Sequence, residues 1–141
     1  MLPSWVSRYV GIPFVSGGRD GTGCDCYGLI RLVLLEEFGY RLPELTNSYD
    51  ACCTAEINPL FNQYLPLLSG ERIVKAEAGA VAVIRVRGLP SHVGVFVDGE
   101  YILHTLRKIG AHCTRMGSGF LRGGLEGIYR ADPCYRITAS V

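Results

Sequence analysis

A chain of 141 residues, 48% apolar and 19% charged, has the length and hydrophobic content for one ordinary core and is too apolar for disorder. Its net charge of +1, with no block of like charges, argues against a nucleic-acid groove and against a polybasic membrane patch. No run is long and apolar enough to predict a membrane span.

The first residues, Met1-Leu2-Pro3-Ser4-Trp5, lack a basic region followed by an apolar run. The expectation is a protein made in a reducing cytoplasm and able to act elsewhere when carried in an assembly. Trp5 to Tyr9 predicts a short helix, and Gly11-Ile12-Pro13-Phe14-Val15 an extended segment, because the residue before proline disfavours helix. Ser16 to Gly23 is glycine-rich and reads as a loop. No Gly-Lys-Ser/Thr follows it, so it is not a phosphate loop. It is either a flexible connection or a segment that lets backbone approach a substrate near Cys26.

The most informative stretch runs from Gly23 to Val33. Asp25 is a good N-cap, since its carboxylate can accept from N–H groups of the first helical turn. Cys26 is then the first helical residue, where the positive end of the helix dipole favours thiolate over thiol. Leu29, Ile30, Val33, Leu34 and Phe38 recur at helical spacing and give the helix an apolar face. Glu36 and Glu37 lie off that stripe, and Gly39 is the expected stop.

Arg41 to Leu45 reads as extended, and Asn47 to Ser69 as mixed, with a helix near Pro59. From Gly79 the pattern turns to strands. Ala80–Val86, His92–Val97 and Tyr101–Leu106 are predicted strands, with a turn at Arg87-Gly88-Leu89-Pro90 and a hairpin at Asp98-Gly99. Ala111–Met116 and Gly127–Arg130 are further strand candidates around a glycine-rich loop at 117–124. A helix followed by an antiparallel meander predicts one α+β domain over residues 1–141.

Six cysteines, at 24, 26, 52, 53, 113 and 134, form no disulfide framework in the absence of a secretory signal. They also lack zinc-knuckle spacing. Cys24-Asp25-Cys26 with Cys52-Cys53 would be a poor tetrahedral chelator, so no metal and no cofactor is expected. Cys26 stands apart from the others because of its helix start. His92 and His104 lie in neighbouring predicted strands across the Asp98-Gly99 turn, within reach of one another if their side chains share a face. A thiol, a histidine base and a third polar group that orients the base are the minimal kit for acyl transfer. His112 is an alternative for the third position. Arg19 and Arg31 are basic groups for an acidic substrate, with a structural or solvated role as the other reading.

These residues match a family. Asp25-Cys26-Tyr27-Gly28-Leu29 resembles the Asp-Cys-Ser/Trp-Gly-Leu signature of the NlpC cell-wall cysteine peptidases, and Ser91-His92-Val93-Gly94-Val95-Phe96 resembles that family's His-Val-Gly-Ile-Tyr strand. Ile102-Leu103-His104 resembles the strand carrying the third polar residue. Gly11-Ile12-Pro13-Phe14, Gly17-Gly18-Arg19-Asp20 and Gly127-Ile128-Tyr129-Arg130 resemble the branch encoded beside phage tail-tip genes.

The resemblance implies a papain-like fold, a helix bearing the cysteine packed on an antiparallel sheet bearing the histidines. It implies Cys26 as nucleophile, His92 as base and His104 as the orienting residue. Arg19 by residue type, and Tyr27 by a hydroxyl that could face the site, are the candidates for the substrate side. The implied substrates are peptidoglycan stem peptides, and the implied partners are phage tail-tip or baseplate proteins. The implied place of action is the host cell envelope, reached in a virion or phage-like tail. A structural tail-tip module with dispensable catalysis is the alternative. Two positions depart from the family pattern. Phe14 stands where a tyrosine is usual, and Ala78-Gly79-Ala80 where Pro-Gly-Asp is usual.

Overall fold

A computed structural model describes residues 2–42 and 69–131. The chain opens with a 3-10 helix at Ser4–Arg8, then a two-stranded hairpin of β1 (Arg19–Asp20) and β2 (Gly23–Cys24) leads directly into α1 (Cys26–Phe38). Strands β3 (Ser69–Ile73), β4 (Val81–Val86), β5 (Leu89–Phe96), β6 (Tyr101–Leu106) and β7 (Gly110–Arg115) follow. A second 3-10 turn at Gly119–Leu121 precedes β8 (Leu125–Ala131). The six longer strands form one antiparallel sheet in the order β3-β8-β4-β5-β6-β7.

Helix α1 begins and ends where its local chemistry dictates. Asp25 has extended backbone and accepts from the Gly28 N–H, and Gly39 closes the helix at φ 71°. Leu29, Ile30, Val33 and Leu34 are fully buried against Val81, Val83, Val93, Val95 and Leu103 on one face of the sheet. Each such side chain contributes about 2 kcal/mol of hydrophobic stabilisation. Ala82, Ile84, Phe96, Ile102, Leu121 and Ile128 form a second cluster. Glu36 and Glu37, off the apolar stripe, accept from the Tyr9 hydroxyl, and Glu37 also takes Arg8, which straps the first 3-10 helix to α1.

Several elements differ from the sequence expectation. The Ser16–Gly23 loop contains the β1–β2 hairpin. The turn between β4 and β5 is only Arg87-Gly88, both at positive φ, so Leu89 and Pro90 join β5. This two-residue form matches the right-handed twist of the strands. Pro90 sits opposite Arg85 beside a bulge, where a missing N–H is tolerated. Strand β3 was not expected. β8 does not extend the meander: it returns to lie between β3 and β4. The helix expected near Pro59, the residues after Leu42 in the extended segment, and Cys52, Cys53 and Cys134 lie outside the described residues.

The glycine-rich loop is packed rather than loose. A methyl group at Gly28 would stand 1.9 Å from the Gly18 carbonyl oxygen, and one at Gly18 would stand 2.3 Å from that of Gly23. The loop backbone therefore closes onto the helix start, and only glycine at these positions allows it. Gly28→Ala is expected to destabilise the protein by ~3 kcal/mol, since the clash is with backbone and cannot be relieved by a rotamer change. Urea unfolding of the variant against the parent checks this.

Candidate active site

The site is built at the first turn of α1. The Asp25 carboxylate is fully buried, yet it is completely engaged. Its Oδ1 accepts from the Gly28 N–H at 2.8 Å and from Arg19 Nη1 at 2.8 Å, and its Oδ2 accepts from the Gly17 N–H at 2.9 Å. These charge-assisted bonds are what make a buried carboxylate tolerable. They hold Cys26 at the helix start with its side chain facing β5, where the backbone amides of Val93 and Tyr27 hydrogen-bond the sulfur.

His92 is the residue next to Val93 on β5. Its Nε2 lies 3.0 Å from Nδ1 of His104 on β6. Nε2 of His104 in turn meets the Thr114 hydroxyl on β7 at 2.8 Å. His112, directly opposite His104 on β7, stacks on it with ring centroids 4.5 Å apart and donates Nδ1–H to the Gly110 carbonyl at 2.8 Å.

The sheet geometry makes room for this chain of rings. β5 and β6 are in register at only Val95↔Leu103 and Phe96↔Ile102. Their outer neighbours continue further, β4–β5 to Val86↔Leu89 and β6–β7 to Leu106↔Gly110. The histidine contact joins β5 to β6 beyond the last registered pair. Gly94 lets the two strands approach, since a methyl group there would stand 2.5 Å from Ile102 and 3.1 Å from the His104 Cβ.

The hydrogen-bond chain couples the proton positions of the two rings. For His92 to accept a proton at Nδ1, it must carry hydrogen on Nε2 and donate it to His104 Nδ1. His104 must then carry its own hydrogen on Nε2 and donate to Thr114. The row is equally satisfied in the opposite sense, with Thr114 donating to His104 and His104 to His92; the first sense is the one that presents Nδ1 of His92 as the basic atom.

Burial sets the resting charge state. It pushes the Cys26 thiol up to about 12, and the neighbouring Asp25 charge adds to this. The helix-dipole expectation of a favoured thiolate is therefore overturned: desolvation and a nearby carboxylate outweigh the dipole and the two amide bonds. Burial also holds His92 down at about 4, with repulsion from His112 adding to it, and His104 down at about 3, with repulsion from His92 and His112. The resting pair is thus a neutral thiol and a neutral imidazole.

The remaining sequence candidates fall elsewhere. Arg19 is bonded to Asp25 and to the Gly18 carbonyl, and its guanidinium sits 5.4 Å over the ring of Tyr27, which is buried. Both residues build the helix start. Arg31 donates to the Leu42 carbonyl. Cys24 is buried and its thiol donates to the Asp20 carbonyl. Phe14 pairs in an isolated bridge with Cys24. Ala80 is 2% exposed, so the carboxylate usual at that position would have to be buried here, while the retained Gly79 has φ 86° and packs on Phe38. Thr114 was missed by sequence reading. Its only signal is that it shares a strand face with His112, and the β6–β7 register is needed to see what that face meets. Among the described residues, no group of three or more His, Cys, Asp or Glu is arranged to hold a metal ion. No helix among them is long and apolar enough to cross a membrane.

An α+β fold with a thiol at the start of its helix and histidines on the facing antiparallel sheet is the papain-like class. Residues 11–123 match the model of the NlpC/P60 family, and the chain belongs to that family. No curated protein matches by sequence. Solved structures share the fold. The NlpC/p60 domain of the peptidoglycan hydrolase SagA is 20% identical with a TM-score of 0.60, covering 88% of this chain and 91% of that one. A lipoprotein-like NLP/P60 protein of Staphylococcus aureus is 23% identical at TM-score 0.61, over 89% of this chain and 38% of that one. An NlpC/P60 protein of Bacillus cereus is 14% identical at TM-score 0.62, over 94% and 42%. The chain thus spans less than half the length of the last two.

Two outcomes are expected from this geometry. Because His92 and His104 are depressed in the folded state, the unfolded chain binds protons first as the pH falls. Their contribution to stability is present above the ordinary histidine value of 6.5 and is lost from there down to about 4. Urea midpoints measured across that range should fall, and His104→Asn should flatten the decline. Thr114→Val removes the hydroxyl partner of His104 Nε2. Imidazole nitrogen NMR shifts should then show a changed tautomer balance at His104, while Thr114→Ser keeps that of the parent.

Proposed function

We propose that this protein is a cysteine endopeptidase that hydrolyses peptide bonds in peptidoglycan stem peptides, with Cys26 as nucleophile, His92 as base and His104 as the orienting residue. The observation that carries the reading is the 3.0 Å contact between His92 and His104, made beside the strand residue whose amide binds the Cys26 sulfur. Nδ1 of His92 takes the thiol proton as the sulfur attacks the scissile carbonyl. The backbone N–H of Cys26, in the unpaired first turn of α1, is the candidate donor to the developing oxyanion. The imidazolium then protonates the leaving amine. Water, deprotonated by His92, hydrolyses the thioester and regenerates the thiol. The substrate class follows from family membership and from the SagA domain, a neighbour described as a peptidoglycan hydrolase.

The proposed setting is a phage or phage-like tail tip. The protein would be made in the bacterial cytoplasm, carried in the particle beside other tail proteins, and would act on the host wall as it is penetrated. Its support is the likeness of Gly11–Phe14, Gly17–Asp20 and Gly127–Arg130 to that branch of the family. The burial of Cys26 and its raised thiol favour a second reading, a tail-tip module in which catalysis is gated by assembly or dispensable.

Digestion of purified muropeptides, followed by mass spectrometry, tests the first reading. Wild type should release a free amine from the stem peptide. Cys26→Ala should lose at least ~10³-fold and His104→Ala ~10²-fold or more in rate. Equal cleavage by Cys26→Ala would sink the assignment. If wild type does not cleave, thiol labelling against pH separates the rest. Labelling that rises only near pH 12 marks a gated or dispensable site, and labelling at neutral pH an armed one that acts on a different bond.

A further inference from the structure

The sheet separates charge between its two ends. Among the described residues, positions 84–97 and 101–125 contain no Asp or Glu. They contain six cations, all exposed: Arg115, opposite Tyr101, lies at the far end, and the other five are Arg85, Arg87, Arg107, Lys108 and Arg122. The register places these five together. Val86↔Leu89 closes β4–β5 around Arg87, and Leu106↔Gly110 closes β6–β7 around Arg107 and Lys108. The Arg85 N–H donates to the Gly124 carbonyl, which brings the Arg122 segment to the same end. None of the five has an ion-pair partner among the described residues.

The opposite end carries Asp98 and Glu100 in the β5–β6 turn, with Glu71 and Glu77 nearby on Arg130 and with Lys75 and Arg115, while Glu126 adjoins the basic end beside Leu125. The candidate active site lies toward the basic end. His92 is three residues from Leu89, about 10 Å of strand. That spacing is comparable to the screening length at physiological salt. The rim charges therefore act on whatever approaches Cys26.

From this segregation we infer that the strand-turn rim is a docking surface for the free carboxylates of the stem peptides that flank the scissile bond, and that the enzyme prefers wall in which those carboxylates are not amidated. The five cations sit on three separate segments and are solvated. They suit an extended ligand with several spaced anions, held by many weak contacts, rather than one small anion in a pocket. Guanidinium forks match carboxylate geometry. A second copy of the chain is a poor occupant, because Glu71, Glu77 and Asp98 at the acidic end are already engaged by Arg130 or by turn amides. The inference rests on the proposed peptidase reading for the identity of the anion, but its test does not depend on cleavage.

The test is co-sedimentation of the Cys26→Ala protein with insoluble peptidoglycan stripped of phosphodiester polymers. Binding should weaken roughly tenfold between about 50 and 300 mM salt. It should fall by a similar factor when the wall carboxylates are chemically amidated, an arm that needs no further variant. Arg107→Gln/Arg122→Gln should weaken binding several-fold. Lys75→Gln/Arg115→Gln, with the same change of net charge at the other end, should leave it unchanged.

Equal losses in the two double variants would reduce the effect to net charge and overturn the inference. So would binding that survives amidation, or binding that appears only with phosphodiester polymers present. Salt-sensitive self-association abolished by the rim variant would reassign the surface to a second copy. Rim-dependent binding without cleavage by wild type would overturn the peptidase reading while leaving the surface in place.

Discussion

The buried carboxylate of Asp25 is the constraint on which the rest of the site depends. It lies out of solvent among apolar residues, and an unpaired charge there would unfold the helix start. Among the donors that compensate it are the Gly28 N–H, the Gly17 N–H and the Arg19 guanidinium. Each brings a different piece of chain to one point. Gly28 sets the phase of α1, Gly17 ties down the glycine-rich loop, and Arg19 closes that loop through the Gly18 carbonyl. The absence of side chains at Gly18 and Gly28 follows from the same demand, because the loop backbone must touch the helix backbone for these bonds to form. Cys26 inherits its position from this arrangement. Its sulfur meets the Val93 amide because the helix enters at the angle the Asp25 cluster imposes.

What was legible in the sequence was local. Asp25 and Gly39 announce the two ends of α1 through capping chemistry that needs no partner elsewhere in the chain. Asp98-Gly99 announces its hairpin in the same way, since Asp98 accepts from the Glu100 and Tyr101 amides within its own turn. Cys26, His92 and His104 stood out as candidates because the helix start and the strand pattern set them apart, and the nearness of the two rings agrees with the strand pairing read across the Asp98-Gly99 turn. What was not legible depends on pairing across the chain. β3 is an edge strand whose partner, β8, lies more than fifty residues later. Thr114 and His112 acquire meaning only from the β6–β7 register. The glycine-rich loop showed its composition but not its purpose, which is contact with α1. The same holds for Arg19, a plausible substrate contact by residue type that its neighbour Asp25 occupies.

The helix dipole shows why a local argument can mislead about electrostatics. The dipole is a surface-strength effect of the first turn, and two amides do point at the sulfur. Both are outweighed by the loss of water and by a carboxylate one residue away, and the folded thiol lies above its usual range. The N-cap that positions Cys26 also opposes its ionisation. In the proposed mechanism activation therefore falls to the imidazole rather than to the helix.

The histidine row is built for that task in a particular way. Burial depresses His92 and His104, with repulsion from His112 adding at both and repulsion from His92 adding at His104. Thr114 and the Gly110 carbonyl occupy the far end of the row, engaging His104 Nε2 and His112 Nδ1. In the proposed mechanism the thiol proton goes to Nδ1 of His92, with the Nε2–H of that ring turned toward His104. The charge formed there would be shared with His104 through the contact between the rings, and the proposal has the imidazolium pass its proton to the leaving amine.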